Sequence, residues 1–188
     1  LGSDLHGTTG DFSISFWFCL TSPPLDNDML FYSGDGSLLR LRGTDNTATP
    51  WKVTIKPDGD SPATATDNNL AIGKWYHCVF TRTSGTVQGY INGAQQSDSQ
   101  TNANDMSLRY FASDSSGRFT PVIMNEIAFW SSSITLAEIQ AIFNDGVALD
   151  VSSDSGDYAS SGDLVGYWRN DGASTWEDRK GSSDVTIS

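Results

Sequence analysis

The chain has 188 residues and a net charge of −12, from 23 acidic and 11 basic side chains. That excess of negative charge repels phosphate backbones and anionic lipid, which argues against nucleic acid and membrane surfaces as partners. No apolar run of about 18 residues is present to cross a bilayer as a helix, and aromatics at 11% exclude a chain disordered throughout.

The acids are lopsided: three are Glu (Glu126, Glu138, Glu177) and twenty are Asp. Asp favours turns over helix, so many turns, few helices and hard-cation chemistry are expected. Taken along the chain, the first strong element is Phe12 to Leu20, where Phe12, Ile14, Phe16, Phe18 and Leu20 alternate with Ser13, Ser15, Trp17 and Cys19. That period of two predicts a strand with one wholly apolar face. Met29 to Tyr32 is a short strand turned at Ser33-Gly34-Asp35-Gly36. Ser37 to Arg42 opposes Leu39 and Leu41 to Arg40 and Arg42. Trp51 to Lys56 alternates Trp51, Val53 and Ile55 with Lys52, Thr54 and Lys56.

Lys74 to Thr83 puts Trp75, His77, Val79 and Thr81 on one side and Tyr76, Cys78 and Phe80 on the other. Val87 to Ile91 ends at Asn92-Gly93, a strong hairpin signal. Met106 to Phe111 and Val122 to Trp130 follow. Thr135 and Glu138 then form a capping box for one helix of about ten residues, with Ile134 and Ile139 as a staple. Leu136, Ile139, Ile142 and Phe143 make its apolar stripe, and Gly146 suits its end. Asp150 to Asp163 reads as a long surface connection. Leu164 to Arg169 and, more weakly, Asp184 to Ile187 close the set. Many short strands at this spacing predict an all-β antiparallel jelly-roll sandwich of two sheets, with the helix near 135–145 capping it.

The order of four segments resembles the concanavalin A-like superfamily, and most of all its laminin G-like and pentraxin-like branch. DFSISFWFCL (residues 11–20) looks like the entry strand, and GKWYHCVFTRTSGTVQGYING (73–93) like the tryptophan strand with its hairpin. NEIAFWSSSITLAEIQAIFN (125–144) looks like the closing strand and short helix, and LVGYWR (164–169) like the returning strand. The chain thus reads as a single laminin G-like domain over residues 1–188, part of a longer protein. The resemblance implies a disulfide between Cys19 and Cys78; two buried free thiols are the alternative.

The resemblance also says where chemistry would sit. The superfamily's retaining glucanases carry paired carboxylates in a short Glu-x-Asp-x-x-Glu or Glu-x-Asp-x-Glu run. No such run exists here, Glu138 serves the helix cap, and Glu126 reads as a solvated strand residue, so no catalysis is expected. Calcium takes six to eight oxygens from carboxylates, amides and carbonyls. Pentraxin-like positions for it correspond to Asp35 and Asp114, both of which also read as turn residues. Asn125 stands where the wider superfamily holds a structural ion.

Sugar recognition needs an aromatic plate with polar groups beside it. Trp17, Trp75, Trp130 and Trp168 lie inside strand patterns and read as core. Trp51 and Trp176 are less committed, and Arg40, Arg42, Arg109 and Arg118 are candidate polar fingers. The expectation is a glycan-binding or adhesion module, recognising a glycan or cell-surface polysaccharide. The segments LVGYWRNDG and WEDRKGSSD resemble closing segments of viral laminin G-like modules, which implies an extracellular or virion surface. The rival expectation is a structural decoration or fibre domain that contacts neighbouring protein chains. A divergent glycoside hydrolase is the third.

Overall fold

The structure is a computed structural model that describes residues 5–6, 10–43, 51–57, 63–64, 70–114, 116, 119–181 and 183–186. In chain order the strands are β1 (Leu5–His6), β2 (Phe12–Leu20), β3 (Met29–Tyr32), β4 (Leu38–Arg42), β5 (Lys52–Lys56), β6 (Ala63–Thr64), β7 (Trp75–Thr83), β8 (Thr86–Ile91), β9 (Ala94–Thr101), β10 (Ser107–Leu108), β11 (Tyr110–Phe111) and β12 (Val122–Trp130). Helix α1 (Leu136–Phe143) follows, then β13 (Leu164–Trp168), β14 (Thr175–Trp176) and β15 (Val185–Thr186). Six strands form one antiparallel sheet in the order β13-β12-β2-β7-β8-β9, and five form another in the order β11-β3-β4-β5-β6. This is the predicted two-sheet jelly-roll sandwich. Among the described residues, no helix is long and apolar enough to cross a membrane.

The period-2 pattern sets which side of each strand is dry. Phe12, Ile14, Phe16, Phe18 and Leu20 of β2 meet Leu39, Leu41, Val53 and Ile55 of the opposite sheet in one core. A chain of edge-to-face rings bridges the layers: Phe16 to Phe31 at 4.9 Å, Phe31 to Phe111 at 5.1 Å and Phe111 to Trp168 at 5.3 Å between centroids. Such pairs add about 0.5–1.5 kcal/mol each beyond the area they bury. Asn92 and Gly93 both have positive φ, 51° and 75°, as the two-residue hairpin requires. A Cβ on Gly93 would also lie 3.2 Å from the Phe143 ring.

A second core lies on the other side of the six-stranded sheet. Val79, Ala128 and Trp130 pack there against Ile134, Ile139 and Ile142 of the helix region and against Val151, Tyr158 and Tyr167. The stretch 150–163 is therefore more than the expected surface connection, because its Tyr158 is fully buried and accepts from Trp130 Nε1 at 3.0 Å. The capping box forms as predicted, with Glu138 Oε2 accepting from the Thr135 amide at 2.8 Å. Glu138 also accepts from the Ala159 amide at 3.2 Å and from the Ser160 hydroxyl, so the cap clamps the connection as well. Asn144, not Gly146, takes the left-handed position that ends the helix, and Leu136 of the predicted stripe is exposed.

The implied disulfide is not present: Cys19 and Cys78 are free, buried thiols. The strand register explains why. Cys78 lies opposite Phe16, whereas Cys19 lies opposite Trp75. Three residues separate the two along the sheet, roughly 10 Å, and an odd offset turns the side chains to opposite faces. A disulfide needs Cα atoms within about 7 Å.

Candidate ligand-binding face

Glu126 and His77 are both held by structural contacts. Glu126 is not the solvated strand residue expected from sequence. A bulge in β12 between Asn125 and Ala128 gives Glu126 a φ of 49° and folds its carboxylate inward. It is buried, accepts from the Tyr167 hydroxyl and pairs with Arg169 Nε at 2.7 Å. Arg169 in turn reaches Asp150 at 3.3 Å. Burial, and then the hydrogen bond to Glu126, push the Tyr167 phenol far up. His77 is fully buried, with Nε2 2.7 Å from Ser15 Oγ and its ring clustered with those of Trp17 and Phe143. Burial alone pushes its pKa down to about 3.

The candidate cation ligands do not meet. Asp35 closes the β3–β4 turn, accepting from the Ser37 amide at 2.9 Å and from the Ser107 hydroxyl. Burial opposes ionisation there, but these hydrogen bonds overcome it and leave the carboxyl below its ordinary range. Asp114 caps its own turn, accepting from the Ser116 amide at 2.9 Å. Tyr110 pairs with Tyr32 and Phe111 with Phe31. Asp35 and Asp114 thus lie at opposite ends of the β3–β11 pair, roughly 20 Å apart at strand spacing. Asn125 Oδ1 accepts from the Asn170 amide at 2.8 Å and ties β12 to the end of the last long strand. Among the described residues no three His, Cys, Asp or Glu side chains gather as a metal site.

Trp17, Trp130 and Trp168 are buried as expected, but the other three tryptophans differ from expectation. Trp51 and Trp176, the candidate plates, are 3% and 7% exposed and belong to the inner core. Trp75, expected in the core, is 43% exposed. It sits at the start of β7 in line with Cys19 and Ile123, beyond the reach of the helix that covers His77 and Val79. Arg118 lies outside the described residues.

Arg40 lies on the outward face of the five-stranded sheet. Leu39, Leu41, Val53 and Ile55 point into the sandwich, so their neighbours point out. The outward face of the five-stranded sheet carries one row of Tyr110, Tyr32, Leu38 and Lys56, a second of Met29, Arg40 and Thr54, and a third of Arg42 and Lys52. At about 4.8 Å between strands and 3.4 Å per residue, the rows cover roughly 15 by 14 Å. Tyr32 and Tyr110 stack with centroids 6.2 Å apart, both partly exposed, and Arg109 approaches the Tyr110 ring at 5.5 Å.

Four of the chain's 11 bases thus share one face of a strongly acidic protein. Arg42 is paired with Asp26 at 3.1 Å. Arg40 Nε and Thr54 Oγ1, directly opposite each other in register, are both buried and without a hydrogen-bond partner. Burial first, and then the Arg42 charge, lower the pKa of Arg40, with Asp26 opposing. Sequence pattern pointed to Arg40 because a charge alternated with leucines. It missed Tyr32 and Tyr110, which only the β3–β11 register brings together.

A family model described as the concanavalin A-like lectin/glucanases superfamily matches residues 2–140. No curated protein sequence matches the chain. A structure named as that of a candidate carbohydrate binding protein from Bacteroides ovatus ATCC 8483 superposes with a TM-score of 0.68 at 16% identity, covering 95% of this chain and 54% of that one. A heptameric SAP-like pentraxin from Limulus polyphemus gives 0.57 at 8% identity, covering 94% and 83%. A Trypanosoma rangeli sialidase gives 0.55 at 14% identity, covering 76% and 24%. The chain therefore spans about half of the first protein and about a quarter of the sialidase, and at these identities the likeness is one of fold. With three quarters of its length matched by the family model, the chain belongs to the concanavalin A-like lectin/glucanase superfamily.

Proposed function

We propose that this protein is a non-catalytic glycan-binding module that uses the outward face of its five-stranded sheet. The observation that carries the reading is the Tyr32–Tyr110 pair beside Arg40 and Thr54, whose buried polar atoms lack partners. Partly exposed aromatic rings offer apolar faces to a sugar ring, and adjacent donors and acceptors take its hydroxyls. The carbohydrate-binding description of the Bacteroides ovatus protein is consistent with this use of the fold. Glu126 and His77, on the other sheet, are buried and held by Tyr167, Arg169 and Ser15. In this reading the module attaches a larger protein to a polysaccharide at a cell or virion surface.

The test is a glycan array probed with the purified domain in millimolar calcium and again with chelator, beside Tyr32→Ala and Tyr110→Ala. Selective binding by the parent that both variants lose supports the reading. Loss on chelation would return the site to Asp35, Asp114 or Asn125. Absence of binding in either buffer would overturn it.

One observation favours a second reading, a domain that docks against protein neighbours. Leu25, Ile72, Trp75, Phe119 and Ile123 are exposed, and all lie in segments that converge at one end of the sandwich. There the Gly73 amide bonds to Leu20 and the Thr21 amide to Pro121. An apolar end of this kind is a surface that a second chain would cover.

A further inference from the structure

We propose that the outward face of the five-stranded sheet selects acidic glycans, those carrying a carboxylate on the sugar ring, through Arg40 and without a metal ion. The proposal rests on the glycan-binding reading above and names the chemical class that the same face takes.

Three observations lead there. The first is charge placement. A chain with 23 acids and 11 bases places Arg40, Arg42, Lys52 and Lys56 on two neighbouring strands of one face. Among the described residues, Asp26 beside this face is paired with Arg42, and Asp35 is turned into its own loop by Ser37 and Ser107. The face is a local basic field within an acidic surround, so it attracts a polyanion while the rest of the molecule repels one.

The second is the state of Arg40. Its Nε is buried with no partner, and Thr54 Oγ1 across the strand pair is in the same condition. A buried polar group without a partner is costly and rare. A planar guanidinium matches a carboxylate through two parallel hydrogen bonds, which an ammonium cannot copy. A ring-borne carboxylate beside Arg40 would meet a guanidinium whose Nε has no internal partner competing for its charge.

The third is spacing. Tyr32 lies opposite Leu38 on β4, two residues from Arg40, so the aromatic pair and the guanidinium are roughly 7 Å apart along the sheet. Lys56 lies on the far side of Leu38 in the same row as the tyrosines, and Lys52 stands beside Arg42. A sugar stacked on Tyr32 and Tyr110 places the acid group of an adjoining ring over Arg40. Lys52 and Lys56 then lie along the path of a continuing chain.

The experiment is titration calorimetry in chelator with three oligosaccharides of equal length: a polygalacturonate fragment, the same fragment with its carboxyls reduced to alcohols, and a sulfated neutral fragment. Proteins are the parent, Arg40→Gln, Lys52→Gln and Lys56→Gln. The parent is expected to bind the carboxylate form at least tenfold more tightly than the reduced form, with affinity falling as salt rises. Arg40→Gln should erase that preference while keeping the weak affinity for the reduced form. The lysine variants should weaken the acidic ligand several-fold and flatten the salt dependence.

Arg40→Gln removes a guanidinium whose Nε has no hydrogen-bond partner, so its thermal midpoint should stay close to the parent's. Should it fail to fold, the lysine variants still test the charge preference. Equal affinity for the acidic and reduced forms overturns the proposal and leaves the glycan reading standing. Preference for the sulfated form overturns the carboxylate assignment. If neither these ligands nor any glycan on the array binds, both readings fall.

Discussion

The two sheets turn very different faces away from the shared core. The six-stranded sheet is roofed by α1 and the 150–163 connection, which bury Trp130, Tyr158 and Tyr167 and enclose the Glu126–Arg169 pair. The five-stranded sheet shows two partly exposed tyrosines and four bases, with Arg40 left unpaired at its Nε. On the roofed face, polar groups are used up holding strands together. On the other they are left over. If the proposed recognition holds, stability and binding belong to opposite outer surfaces of one sandwich, so substitutions on the two sides should act on different observables.

The sharpest way to break that division is Glu126→Ala. It strands the Tyr167 hydroxyl beneath the roof and leaves the partly exposed Arg169 to Asp150 alone, and the loss should be about 2 kcal/mol, read as a lowered denaturant midpoint. A stability change under about 1 kcal/mol would show the pair to be dispensable.

Acid is the next probe, again of the roofed side. Folded His77 titrates near 3 and returns to its ordinary 6.5 on unfolding. Between those values the unfolded chain holds a proton that the folded chain refuses, so stability falls as pH drops below 6.5, by about 1.4 kcal/mol per unit. That amounts to about 1.5–2 kcal/mol lost between pH 6.5 and 5, above the range where carboxylates add most of their own losses. In His77→Gln the stability profile over this interval should be flat. An unchanged slope would assign the effect to other groups.

The smallest effect belongs to the open face. Lys52→Ala and Lys56→Ala together should move stability by less than about 0.5 kcal/mol in thermal melts, because neither side chain supports the core. A larger drop would mean that this face, too, is structural.

The sandwich was legible because strong alternation is a property of neighbouring residues. Phe12 to Leu20 states its dry side outright, and the Thr135–Glu138 box announces the helix. β9 was not legible: Ala94–Thr101 is a polar edge strand with no buried residue, paired in its sheet with its hairpin partner β8. The span read as one strand from Met106 splits, its first part pairing with β1 and its second with β3.

The site was less legible, for a physical reason. Alternation tells which face a side chain is on, not how far the covering layer extends. Trp75 shares a face with buried His77 and is still exposed, since the roof stops short of it. Trp51 and Trp176 follow polar stretches, yet cross-strand bridging with Leu70 and Val185 draws both into the core.

The unjoined thiols, finally, are two clocks with different triggers. Cys78 lies at the centre of the shared core, with burial pushing its thiol well up, while Cys19 sits near the strand end on the opposite side. An alkylating reagent would read partial opening of that end at Cys19 and complete disassembly at Cys78. One chain thus reports its breathing and its collapse separately, with no label added.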